Sequence, residues 1–353
     1  MKPQLKVLAP GLMTTLQDIG RPGYQHLGIP VSGALDATSL RTANLLVGNP
    51  PEMGALEIAY QGPSLVALAE SVRVAFAGVA AAAAAAINVH SSEGAAVGLA
   101  VPVLQSIRLT RGQVVRIGPL AASAIGYLAI EGGFDIAPVL GSQSTYARGG
   151  LGGFNGRALR AGDHLPLRKA DAASRPEQKL PSFDLAPPRR FRVVFGPQDD
   201  HFTIRGKQTL LDSTYTVSPA SDRMGMRLLG PAIEHAGGYN IVSDGIAPGS
   251  IQVPGNGLPI VLLADRQTTG GYPKIATVIS ADLPALGRLA SGAKVSFEAV
   301  SIEAAEAAHR QLRADLESIA GRIVTVRAPP DATKLLDSNL VSGMIDACDS
   351  GID

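Results

Sequence analysis

Residues 243–278 read SDGIAPGSIQVPGNGLPIVLLADRQTTGGYPKIATV, and this stretch decides the fold. Its apolar runs, such as Pro259–Ala264, are cut by Gly, Pro or Asp before a helical period can develop. Short apolar runs bounded by turn residues are strands. Ala264 ends one of them, and Asp265, Arg266, Gln267, Thr268 and Thr269 follow at once. Polar groups set at a strand end lie at a barrel mouth, a usual place for a ligand. Lys274 adds a cation to the set.

The same pattern extends along the chain. Arg73–Ala77, Val114–Ile117, Gly126–Ile130 and Phe191–Phe195 are short, apolar or alternating, and flanked by turn residues. With Gly 40, Pro 25, 46% hydrophobic and 17% charged residues, the chain is globular and mainly β with a few helices. Leu109-Thr-Arg-Gly112, Leu159-Arg-Ala-Gly162 and Leu289-Ala-Ser-Gly292 share a Leu, a Gly three positions later and then a strand. Gly there suits the turn that enters a strand. Asp36 is placed to cap a helix carrying Leu40, Ala43, Leu46 and Val47, with Gly48 just past its end. Ser301 is placed to cap a longer helix stopped at Gly321. The alanine run Ala80–Ala86 sets helical propensity against strand-rich neighbours, and a hairpin is expected there.

Polar, proline-bearing Arg168–Arg190 reads as a linker. It divides the chain into an N-terminal β unit (1–167), a linker (168–190), a C-terminal β unit (191–300) and a helix with tail (301–353). A formal net charge of +1 offers no basic surface for nucleic acid or anionic membrane. With no Trp and 4% aromatics, base stacking has little to work with. The lone Cys348 cannot form an internal disulfide, and no apolar segment near Met1 reads as a signal peptide, so a cytoplasmic protein is expected. Phosphate-loop, H-E-x-x-H, C-x-x-C and G-x-S-x-G motifs are all absent, and no metal site is expected on this chain.

Polar side chains concentrate in three regions. Leu16–Asp36 carries Asp18, Arg21 and His26 among glycines and prolines. Arg21 is suited to clamp a carboxylate or phosphate and His26 to move a proton. The plainer reading is a long structural loop with an Asp18–Arg21 pair and a helix cap at Asp36. Gly132–Arg157 carries Ser142, Ser144, Thr145, Arg148 and Arg157. Its glycines fit either an anion nest or a hairpin loop, and on residue types the loop prevails. The richest region combines Ser218–Met226, with Arg223, Ser243–Gln252 and Asp265–Lys274. His90, His164 and His309 look structural or exposed.

Five stretches carry a resemblance. They are GLMTTLQDIGRPGYQHLGIPVSGALD (11–36), GGFDIAPVLGSQSTYARGGLGGFNGRALRAGD (132–163), SDRMGMRLLGP (221–231), residues 243–278, and ADLPALGRLASGAKVSF (281–297). In this order they resemble the biotin-dependent carboxyltransferase-like family. That resemblance implies two cyclophilin-like β-barrel subdomains, mostly antiparallel. It implies one component of an ATP-dependent 5-oxoprolinase complex that opens 5-oxo-L-proline to L-glutamate. The implied partners are a KipI-like protein and a LamB/YcsF-like protein, the other two components of that complex. ATP with Mg is the implied cofactor, in a site that a partner can share, and no biotin is expected on this chain. The activated lactam needs cations over a phosphate, for which Arg21, Arg223, Arg266 and Lys274 are the candidates, and polar groups orienting the amide, for which Asp18, His26, Asp265 and Gln267 are the candidates. Ser142, Arg148, Thr268 and Thr269 complete the binding set. Two other roles go with the same resemblance: carboxyl transfer to urea or another amide with a biotin-carrying partner, and KipA-like regulation by binding a KipI-like kinase inhibitor.

Overall fold

The computed structural model describes residues 2–79, 87–91, 99–120, 123–181 and 183–326. The Ala80–Ala86 run, Cys348 and the tail after residue 326 lie outside the described residues. Among the described residues the fold is mainly β with four α-helices: α1 (Ala37–Leu46), α2 (Ile204–Asp212), α3 (Leu283–Gly287) and α4 (Ile302–Arg322).

The N-terminal unit holds its core between two sheets. One runs in the order His164–Pro166, Gln4–Ala9, Ser64–Ala67, Gln113–Ile117, Ile87–Ser91, Leu99–Val101. The other runs Met13–Gln17, Ala55–Ala59, Ile125–Ile130, Ser71–Gly78, Ser106–Thr110. Leu5, Val7, Leu65 and Val115 from the first sheet meet Leu56, Ile58, Val74 and Leu128 from the second. The second sheet is buried on its outer face as well, which is why Val74–Gly78 and Ile125–Ile130 read as nearly continuous apolar runs. That outer face is small, with Ala75, Ala77 and Ala129, and α1 packs there through Leu40, Ala43 and Leu46.

The C-terminal unit is a closed barrel of seven strands: Arg190–Phe195, Lys274–Val278, Ser250–Gln252, Ile260–Leu262, Gly225–Leu229, Tyr215–Val217 and Lys294–Ala299. A parallel pairing of Arg190–Phe195 with Lys294–Ala299 closes the ring. Alternate residues point inward, so Phe191, Val193, Val295 and Phe297 fill the interior.

Local signals translate directly. Asp36 caps α1 by accepting from the Ser39 N–H at 3.1 Å, and Gly48 takes a φ of 74° past its end. Ser301 caps α4 by accepting from the Ala304 N–H, and the helix continues through Gly321 to Arg322. Gly112, Gly162 and Gly292 adopt φ of 83°, 88° and 84°, each just before a strand. The three turns therefore share one left-handed backbone shape.

Residues 168–190 lie against the N-terminal unit. Leu180 and Leu185 are buried beside α1 and α4. Arg73, within an otherwise apolar strand, donates to Glu131 at 2.6 Å and to Glu177 at 3.1 Å. Burial raises the pKa of the Glu131 carboxyl, but Lys169, the Ala173 N–H and Arg73 together outweigh it and hold the group below its usual value. A depressed carboxylate stabilises the fold above its unfolded pKa and loses that contribution as pH falls through the folded one. We therefore expect Glu131→Gln to destabilise the protein at pH 6. The gap to wild type should narrow as urea melts are taken toward pH 3. A gap independent of pH would remove Glu131 from the acid response.

Candidate active site at the junction of the two units

The three polar regions converge where the N-terminal loops meet the barrel. Asp18, just past the strand Met13–Gln17, is the hub of the first two. Its carboxylate accepts from the Gly20 N–H (2.8 Å), the hydroxyls of Ser142 (2.6 Å) and Ser144 (2.5 Å), and the Gln143 N–H (2.6 Å). These contacts bind residues 18–36 to residues 142–145 and occupy Asp18 fully. Arg21 is buried beneath, donating to the carbonyls of Ser144 and Val139, with one terminal nitrogen unpartnered. Burial works against its charge, and nearby Asp18 and Asp265 oppose that effect. The glycine loop packs on this hub rather than opening as a nest: a Cβ on Gly152 would lie 2.2 Å from the Ser144 carbonyl oxygen.

A chain of buried polar groups then crosses to the barrel. Arg223 donates to Asp265 (2.8 Å and 3.2 Å), to Glu57, and to the Gly33 carbonyl (2.6 Å). Glu57 accepts from the Tyr127 hydroxyl (2.5 Å) and the Leu35 N–H (3.0 Å). Tyr127 in turn accepts from the Asp36 N–H (3.0 Å), and Asp36 is held by Arg288 (2.6 Å and 3.1 Å). Burial, with the Glu57 and Asp36 charges, holds the Tyr127 phenol protonated well above its usual range. Glu57, Tyr127 and Arg288 escaped the reading of the sequence. The available signal was a charged or hydroxylated residue inside an otherwise apolar strand, as in ALEIA (55–59) and IGYLAI (125–130).

Asp222 and Met224, which flank Arg223 in sequence, line a groove of about 530 Å³. Arg148 from the N-terminal unit stands at its edge, paired with Asp222 of the barrel at 2.7 Å. The barrel supplies Arg227, Gln252, Gln267 and Tyr272. Gln267 is exposed and donates to the Gln252 amide oxygen at 3.4 Å. Arg227 is exposed and has no carboxylate partner among the described residues. Beside the groove, buried Lys274 reaches Asp244 at 3.0 Å, and Gln198 donates to the same carboxylate at 3.1 Å. Thr269 is held in a two-residue pairing with Gly245, and the Thr268 carbonyl accepts from the Ile246 N–H. Arg266 is buried against the carbonyls of Ile246 and Leu263.

His26 stands apart. It is exposed on the 3₁₀ turn Gln25–Leu27. His164 contacts Gln4 and His309 contacts Ser280, each at 3.0 Å. Among the described residues, no group of three or more His, Cys, Asp or Glu could hold a metal ion, and no helix is long and apolar enough to cross a membrane.

A family model described as the carboxyltransferase domain, subdomain A and B, matches residues 27–299. The C subunit of 5-oxoprolinase from Escherichia coli (strain K12) is 36% identical over 320 residues, covering 90% of this chain and 98% of that protein. The urea amidolyase of Lachancea kluyveri is 31% identical over 340 residues, covering 89% of this chain and 18% of that much longer protein. Among solved structures, the urea amidolyase of Kluyveromyces lactis superposes with a TM-score of 0.78 at 29% identity, over 90% of this chain and 20% of that one.

Proposed function

From the premise that this chain belongs to the carboxyltransferase-domain family, subdomains A and B, we propose that it is the C subunit of an ATP-dependent 5-oxoprolinase. In this reading it acts with a KipI-like protein and a LamB/YcsF-like protein to open 5-oxo-L-proline to L-glutamate in the cytoplasm. The observation that carries the reading is the match along nearly the whole length of a protein of that name, against a fifth or less of urea amidolyase.

The groove suits the orienting half of such chemistry. Gln252 and Gln267 present amides that hydrogen-bond a lactam, while Arg148 and Arg227 supply cations for developing negative charge. A nucleotide site complete within this chain does not fit the residues. Arg21, Arg223 and Lys274 already hold protein acceptors. ATP and Mg are therefore assigned to a site completed by a partner. A second reading, carboxyl transfer to urea or a related amide with a biotin-carrying partner, is favoured by the likeness to urea amidolyase.

The test is to co-express this chain with its KipI-like and LamB/YcsF-like counterparts and follow ATP-dependent glutamate release, omitting one component at a time. Release that requires this chain supports the proposal. A stable complex that turns over urea instead would favour the second reading. Gln267→Ala, at an exposed position, should lower kcat about 10²-fold with an unchanged melting curve. Wild-type kcat in that variant would move the amide contact elsewhere.

A further inference from the structure

A second, smaller pocket of about 160 Å³ lies between residues 31–35 and the barrel. Arg266 lines it, only 6% exposed. Two of its guanidinium nitrogens donate to the carbonyls of Ile246 (3.0 Å) and Leu263 (3.2 Å), and the third makes no hydrogen bond among the described residues. Other buried arginines have acids to balance them: Arg73 has Glu131 and Glu177, Arg288 has Asp36, and Arg21 lies near Asp18 and Asp265. Arg266 has no carboxylate partner among the described residues, and burial pushes its pKa down with nothing to oppose it. A buried cation left uncompensated is costly, and a bound anion removes that cost. Ser32 lines the same pocket, 5% exposed, with a hydroxyl that has no partner. Buried hydroxyls are nearly always hydrogen-bonded, so this one calls for an acceptor.

The rest of the lining is apolar, with Ala34, Leu263, Leu283 and Pro248. The volume equals that of about five waters at roughly 30 Å³ each, too small for a nucleotide. We infer that this pocket binds a small monocarboxylate, its carboxylate paired with Arg266 and the Ser32 hydroxyl and its compact apolar body against Ala34, Leu263 and Leu283. The ring of 5-oxo-L-proline is a lactam whose N–H and C=O would be left unpaired against these walls, so it is not the occupant; cyclopentanecarboxylate has the required form.

Calorimetric titration of the purified full chain tests this, with 5-oxo-L-proline, cyclopentanecarboxylate and inorganic phosphate as probes. Cyclopentanecarboxylate should bind saturably at one site, and neither 5-oxo-L-proline nor phosphate should compete for it. Arg266→Gln and Ala34→Leu should each weaken binding at least ten-fold. Ala34→Leu keeps every polar group and only fills the space, so the inference stays testable if the Arg266 variant folds poorly. Displacement of cyclopentanecarboxylate by 5-oxo-L-proline would overturn the apolar body assigned to the occupant. Phosphate binding in place of cyclopentanecarboxylate, undiminished affinity in Ala34→Leu, or no saturable binding to the wild type would overturn the inference. Glutamate release by the complex does not enter this readout, so the two proposals fail separately.

Discussion

Arg223→Ala is expected to cost the folded chain about 3–5 kcal/mol, because it strands two buried carboxylates at the junction. Side-chain exposure is 3% for Glu57 and 8% for Asp265, against 14% for Arg223 itself. Burial works against the Arg223 charge, but Glu57 and Asp265 outweigh it and hold the guanidinium well above its ordinary value. With the arginine removed, both carboxylates must take up protons or draw in water. Urea denaturation at pH 7 reads the loss. Arg223→Lys, which keeps the charge but not the fork to Asp265 and Gly33, should fall between alanine and wild type. A wild-type melting profile for the alanine variant would show that the network contributes nothing. The residue types suggest a phosphate ligand whose removal abolishes activity and leaves the fold intact. The partners of Arg223 give the opposite order, in which activity is lost with the fold.

Asp36→Ala should be at least as damaging. Asp36 is fully buried and does two jobs with one carboxylate: it caps α1 and balances Arg288. Loss of the cap costs about 1 kcal/mol, and a buried arginine without its acid about 3–5 kcal/mol. Asp36→Asn separates the terms, since an amide oxygen still accepts from the Ser39 N–H but carries no charge. Asparagine should recover only the smaller part. Equal stability of the asparagine variant and wild type would show that Arg288 finds another partner.

These variants also mark how far the sequence could be read. Turn and cap residues act locally, so Asp36, Ser301 and the three L-x-x-G turns were legible. Several strand ends were legible because a Gly follows within two residues, as after Ile117, Ile130, Phe195 and Leu229. The short helices α2 and α3 were not, since neither is long enough for its period to stand out. The convergence of the polar regions was not legible either. Asp18 and Ser142 are separated by 124 positions and Glu57 and Arg223 by 166, distances that local patterning cannot bridge. A solitary Glu in ALEIA has the look of a solvated strand residue, and only the fold sets Arg223 opposite it.

The seam between the units has a signed asymmetry. Across its buried pairs the N-terminal side contributes the acids Glu57 and Asp36, and the barrel side contributes the bases Arg223 and Arg288. Severed near residue 190, the chain would become two fragments, one with carboxylates lacking a base and one with guanidiniums lacking enough acid. Neither half would be content alone, yet each would be the counterion of the other. Two separately expressed fragments should then reassemble, faster at low salt than at high, as though one protein were a heterodimer whose halves happen to share a peptide chain.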